Sequence, residues 1–177
     1  GEPDFSTRKD NEIVKNKENP IDKKNYYLIS EVDEIDDWVK EAEEIGEVSV
    51  DTETSSLDPH QADLIGISLS TKIGKACYIP IGHKSKKNIN KNLVLEKLKP
   101  LLEDSSIKKI GQNIKFDFIV FFKQGIELTS MEDTMLMSYV LDAGKNRHNM
   151  DTLAEIHLGH KTIAFKELVG TGKKEIN

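Results

Sequence analysis

The stretch Val48-Ser49-Val50-Asp51-Thr52-Glu53-Thr54 alternates apolar and polar residues and carries two acids two positions apart. Side chains of a strand alternate between its faces, so Val48 and Val50 point one way and Ser49, Asp51 and Glu53 the other. The pattern predicts a strand with one buried face, which the rest of the chain must cover with a core. On the opposite face the Cα atoms of Asp51 and Glu53 stand roughly 6.6 Å apart. Carboxylates that close repel each other unless a cation lies between them, and hard divalent ions such as magnesium prefer oxygen ligands. The pattern also fits an exposed strand end with two solvated acids, since Asp10-Asn11-Glu12 has the same spacing in a segment without strand character.

A length of 177 residues suits one domain with an appendage, and 37% hydrophobic residues suffice for one core. The net charge of −6 argues against a basic nucleic-acid-coating surface. It leaves room for a nuclease, which needs a local acidic metal site. Cys77 is the single cysteine, so no intramolecular disulfide forms, as expected of a cytoplasmic chain with a buried thiol. No apolar run approaches about 18 residues and no signal-peptide pattern opens the chain, so no membrane association is expected.

Residues 1–25 hold six acidic and six basic side chains and few large apolar ones. Such a segment buries too little to offset its chain entropy and is expected to be a flexible charged linker, with another domain upstream. Residues 26–177 are expected to form the domain. Tyr26 to Ile29 reads as a strand, and Ser30 with Asp33 as a capping pair for a helix. Val32, Ile35, Val39, Ala42 and Ile45 recur at helical spacing up to the stop at Gly46. The acid-bearing strand follows, then a polar loop from Ser55 to Ala62 and alternating strands at Asp63–Thr71 and Lys75–Ile81, joined by a tight turn. These three form an antiparallel meander. A basic loop (Lys84, Lys86, Lys87, Lys91) leads into a helix carrying Val94, Leu98, Leu101 and Leu102. A short strand spans Ile107–Gly111 and a helix Ile114–Gln124, with two more helices about Met131–Asp142 and Met150–Leu158. The fold class is α/β, a mixed sheet flanked by helices.

A third acid, Asp117, follows Gly111-Gln112-Asn113 in the first turns of a helix that Asn113 is placed to cap. An acid there is a favourable partner for the helix dipole. This one is set among Phe116, Phe118, Phe121 and Phe122, where a lone anion is costly without a counter-charge. Asp51-Thr52-Glu53-Thr54-Ser55-Ser56-Leu57-Asp58, followed by Gly111-Gln112-Asn113 and Asp117, resembles the first two motifs of 3′–5′ exonucleases with four metal-binding acids. More narrowly, it resembles the proofreading exonuclease domains of bacterial DNA polymerase I. Three further stretches support that branch over the ribonuclease D and helicase-linked ones: Cys77 to His83, Arg147 to Glu155, and Lys161 to Leu168.

The resemblance covers about residues 26–177 and implies a ribonuclease H-like fold: an antiparallel meander plus a parallel strand, flanked by helices. It implies two-metal hydrolysis of 3′-terminal DNA phosphodiester bonds with magnesium or manganese, at a single-stranded or frayed 3′ end. Two ions about 3.5–4 Å apart activate the water and stabilise the leaving oxygen. By resemblance, Asp51 bridges the ions, Glu53 holds the one on the attacking side, and Asp117 helps hold the second. Leu57 is implied as a wedge beside the terminal base, and Thr54, Gln112 and Asn113 as contacts to the terminal nucleotide. Arg147 is implied as a phosphate contact and Phe165 as a stacking residue. Leu57 and Phe165 fit a core equally well, and Arg147 a solvated loop.

One departure matters. The family's third motif, a tyrosine four residues before the last metal-binding aspartate, has no match, because none of the four tyrosines has an aspartate at that spacing. The second metal site is therefore expected to be incomplete, and the chain a C-terminally truncated piece of a polymerase, inactive or very weak by itself. A polymerase domain downstream, a 5′ nuclease domain upstream and a nucleoid-associated location would follow. The alternatives are a non-catalytic platform domain of a polymerase and a ribonuclease D-like exoribonuclease.

Overall fold

The structure, a computed structural model, describes residues 23–84 and 87–163. The chain divides into two compact units, Ile21–Lys145 and a second that includes Asn146–Asn177. The first contains β1 (Tyr26–Leu28), α1 (Ile35–Ile45), β2 (Glu47–Thr54), β3 (Leu64–Lys72), β4 (Lys75–Pro80), α2 (Lys91–Glu103), β5 (Lys108–Gly111), α3 (Ile114–Phe122), β6 (Met131–Asp133) and α4 (Thr134–Asp142). The described part of the second carries α5 (Met150–Leu158), which ends at Gly159 with φ of 62°.

The strands form one sheet in the order β1-β4-β3-β2-β5-β6. β2, β3 and β4 are the expected antiparallel meander. β1 joins β4, β5 joins β2 and β6 joins β5, each in parallel. Val48, Val50, Ile67, Leu69, Cys77 and Ile79 are buried together with Ile35, Trp38 and Ala42 of α1, Val94, Leu98, Leu101 and Leu102 of α2, and Val120 and Phe121 of α3. Each large apolar side chain buried this way contributes about 1.5–3 kcal/mol. Trp38, not the more exposed Ile45, completes the buried stripe of α1.

Two local expectations change. The entry to α1 is held by Glu34, whose Oε1 accepts from the backbone N–H groups of Ser30 (3.1 Å) and Glu31 (2.8 Å), rather than by a Ser30–Asp33 pair. The stretch from Met131 is not helical at first. Met131–Asp133 pairs in parallel with Lys109–Gly111, and Lys108 reaches Glu132 at 3.0 Å, so the sheet claims three residues before α4 starts.

Two polar features tie the layers together. Glu41 of α1 accepts from Lys72 (2.7 Å), Lys75 (2.6 Å) and Thr71 on the β3–β4 hairpin, and these partners hold its carboxyl down at about 2. Lys109 of β5 is fully buried, and its Nζ donates to Asp104 O (2.6 Å), Ile107 O (2.7 Å) and Thr129 Oγ1 (3.3 Å). Burial lowers its proton affinity. The ammonium serves as a knot for the loops either side of the sheet edge.

Candidate active site at the end of the central strand

The site grows out of a mismatch in strand length. β5 pairs with β2 only from Glu47 to Ser49, so the β5 side of β2 is open from Val50 onward. The chain leaves β5 at Gly111, turns at Asn113 with φ of 58° and ψ of 43°, and enters α3. Asparagine tolerates this left-handed conformation better than most residues. One turn into α3, Asp117 reaches the open stretch of β2. Its Oδ1 accepts from the Thr52 backbone N–H (2.9 Å) and from Thr52 Oγ1 (2.6 Å). Asp117 is 3% exposed and Thr52 8%. The dipole explanation for Asp117 is thus joined by a specific tertiary partner, contributed by the residue between the two strand acids.

Asp51 and Glu53 lie on the other face of β2, with Asp51 opposite Ser68 and Glu53 opposite Gly66 of β3. The register slips between Glu53 and Thr54. Such an irregularity raises the local twist and re-aims side chains, as often happens beside active sites. Burial raises the proton affinity of Asp51. Glu53 is raised by loss of surrounding water and then by the Asp51 charge. Asp117 is pushed up to about 6, by burial first and with a contribution from Asp51, against the Thr52 hydrogen bonds that favour its charged form. The Asp51 charge thus opposes ionisation of both other acids.

Among the described residues no lysine or arginine forms an ion pair with any of the three. Nor does any group of three or more His, Cys, Asp or Glu side chains converge at metal-ligand distance among them. The three carboxylates are neighbours in the fold without being drawn together. An oxygen-only donor set with unbalanced negative charge fits a hard divalent ion.

The other candidate residues occupy varied places. Leu57 is 97% exposed, which removes it from the core. It sits on a loop closed by hydrogen bonds between Ser55 and Asp63 and tied to α3 by Lys123 Nζ, which donates to Ala62 O (2.8 Å) and Pro59 O (3.2 Å). Thr54 Oγ1 donates to Ser56 O within the same loop. Gln112 Oε1 accepts from Thr134 Oγ1. Asn113, left-handed at φ of 58° and ψ of 43°, makes no side-chain cap bond to α3. Its backbone N–H instead donates to Asp133 Oδ1 at 3.0 Å. Arg147 is exposed and belongs to the second unit. Phe165 lies outside the described residues, as does Lys86 of the basic loop; Lys87 of that loop pairs with Glu31 at 2.9 Å.

Two residues of the site were not singled out by sequence. Thr52 alternates onto the apolar face, so its pairing with Asp117 had no local signal. Asp133 did have one: an aspartate preceding a helix is a favoured N-cap. Its Oδ1 accepts from Met135 N (2.9 Å) and Leu136 N (3.3 Å) and so fixes α4 and the Asn113 turn together.

A family model described as 3′–5′ exonuclease matches residues 26–177. The DNA polymerase I of Rhizobium leguminosarum is 40% identical over 178 residues, covering 89% of this chain and 17% of its own length. That of Pseudomonas aeruginosa is 40% identical over 158 residues, covering 86% of this chain and 17% of its own. The chain thus spans 17% of the length of these relatives. Escherichia coli RNase D, an exoribonuclease involved in structured RNA processing, superposes with a TM-score of 0.65 over 83% of this chain and 36% of its own, at 20% identity. Brucella melitensis NrnC with bound Mg²⁺ gives 0.61 over 84% and 68%, at 23% identity. At such identities these structures speak for the fold, a ribonuclease H-like α/β sheet. Matched from residue 26 to residue 177 and 40% identical to two DNA polymerases I, the chain belongs to the 3′–5′ exonuclease family, in the branch found in DNA polymerase I.

Proposed function

We propose that this chain is the proofreading domain of a bacterial DNA polymerase I. In it Asp51, Glu53 and Asp117 hold divalent ions at the end of the central strand, and the substrate is a single-stranded or frayed DNA 3′ end. The observation that carries the proposal is the anchoring of Asp117 to Thr52, the residue between the strand acids Asp51 and Glu53, with no ion pair to any of the three acids among the described residues. When bound, two divalent ions would activate water and stabilise the leaving 3′ oxygen.

The chain's own residues supply placement. Thr52 fixes the Asp117 carboxylate through two donors, and the β2 irregularity sets the direction of Glu53. The Asp133–Asn113 contact holds the loop that would meet the terminal nucleotide. Leu57, presented on a loop tied at both ends, is suited to wedge beside the last base. Arg147 and Phe165 are assigned to phosphate and base contacts. Magnesium or manganese, a second ion site incomplete in this chain, and neighbouring polymerase and 5′ nuclease domains complete the proposal. Such work places the protein in the cytoplasm with the genome. Among the described residues no helix is long and apolar enough to cross a membrane.

Calorimetry with Mn²⁺ on this chain is expected to detect weak binding that Asp51→Ala abolishes. A chain extended through a downstream Tyr-x-x-x-Asp helix is expected to release mononucleotides from a labelled single-stranded DNA 3′ end with Mg²⁺ or Mn²⁺, and to prefer it over RNA of the same sequence. A folded extended chain inert with either ion would identify a platform domain. Preference for RNA would identify a ribonuclease.

A further inference from the structure

The acid face of the sheet carries a second pair of polar side chains beyond the three carboxylates. Tyr78 on β4 lies in the row Asp51–Ser68–Tyr78, since Ser68 is opposite both Asp51 and Tyr78. All three therefore share one face of the sheet. The Tyr78 ring leans along the sheet toward the next row, that of Glu53 and Gly66. A Cβ added to Gly66 would lie 1.9 Å from Tyr78 Oη and 2.3 Å from Cζ. The hydroxyl thus fills the side-chain slot of Gly66, the residue directly opposite Glu53. Cβ positions facing each other across an antiparallel pair are about 4.5–5.5 Å apart. Tyr78 Oη therefore occupies the side-chain position that faces Glu53 across the β2–β3 pair.

The tyrosine is held from behind. His83 Nε2 lies 2.6 Å from Tyr78 Oη, with the two rings edge to face. His83 is itself fixed by a two-point contact with Asn88, whose Oδ1 accepts from His83 N (2.8 Å) and whose Nδ2 donates to His83 O (2.7 Å). The start of this loop is closed onto β3, where Ile81 N and Gly82 N both donate to Ile65 O. A tyrosine hydroxyl has one proton to donate and accepts as well. In the His83 tautomer that carries its proton on Nε2 and donates to Oη, the hydroxyl proton is left to point away from the histidine and toward the acids. Burial and the Glu53 charge both keep the Tyr78 hydroxyl protonated, up to about 12.

We propose that Tyr78, oriented by His83, is a positioning residue of this site, its hydroxyl donating to the Glu53 carboxylate and setting that carboxylate's direction. Gly66 is glycine because the hydroxyl needs its space. The role at the metal rests on the function proposed above, whereas the contact itself does not. Outer-sphere partners of metal-ligating groups change metal affinity by about 10–100-fold when removed.

The test uses the 177-residue chain. In the metal-free protein, the Glu53 ¹³Cδ signal, identified by its loss in Glu53→Gln, is expected to move in Tyr78→Phe and in His83→Leu. It should return toward the wild-type position in His83→Gln, which keeps a donor for Oη. Calorimetry is expected to show Mn²⁺ affinity reduced about tenfold in Tyr78→Phe and in His83→Leu. The double variant should be no weaker than either alone, as for residues acting as a unit. An unmoved Glu53 signal in Tyr78→Phe overturns the contact, whatever the metal does. A moved signal with unchanged Mn²⁺ affinity overturns the positioning role. A moved signal in a protein whose Mn²⁺ binding is absent or indifferent to Asp51→Ala upholds the contact and removes the metal site instead.

Discussion

Asp117→Asn should make the metal-free protein more stable at neutral pH while abolishing its response to metal. The carboxyl is nearly inaccessible, its proton affinity is raised from 3.8 to about 6, and burial is the first cause. Because the folded state holds this proton more tightly than the unfolded chain, stability is greatest below the unfolded value. It falls as pH rises from about 3.8 to about 6. At 1.36 kcal/mol per pH unit, ionising Asp117 costs the fold about 2–3 kcal/mol at pH 7. Asparagine keeps an Oδ1 acceptor for the Thr52 N–H and hydroxyl and carries no charge, so that cost disappears.

Urea denaturation in EDTA at a series of pH values is the assay. The variant's advantage should be near zero below pH 4, rise through pH 4–6, and level off at about 2–3 kcal/mol. With Mn²⁺ at about 100 times its dissociation constant, the wild-type chain should gain about 2.7 kcal/mol and the variant little. An advantage that does not depend on pH, or a variant less stable than wild type at pH 7 in EDTA, would refute the assignment of a strained buried charge.

Lys109→Met fills a similar space but leaves the carbonyls of Asp104 and Ile107 without their buried donor. A loss of about 2–4 kcal/mol is expected at pH 7, and a loss under 1 kcal/mol by chemical denaturation would show that water replaces the ammonium at no cost. Asp133→Ala removes the α4 cap and frees the Asn113 N–H. It should cost about 1–2 kcal/mol and speed amide hydrogen exchange at Asn113 and Met135; unchanged exchange there would refute the coupling of turn and helix.

Local pattern was enough for the parts of this protein that are local. The alternation in Val48–Thr54 and in Leu64–Lys72 imposed two strands with one buried face, and the apolar spacing of residues 32–45 and 94–102 imposed two helices. The two motifs around Asp51 and Asp117 carried the family. A three-residue strand such as Met131–Asp133 has no periodicity of its own, and only the Lys109–Gly111 edge beside it decides that it is one. Asn113 has the side chain of a cap, but in the left-handed turn out of β5 it makes no cap bond to α3, and its backbone N–H is held by Asp133, the cap of the later helix α4. The three acids look like a ready cluster along the chain. In the fold Asp117 is bound to Thr52, because a buried carboxylate takes the donors within reach. The hydroxyl of Tyr78 in the slot of Gly66 is equally invisible in sequence, since strand register sets Gly66 opposite Glu53 and the lean of the Tyr78 ring from the neighbouring row fills the space.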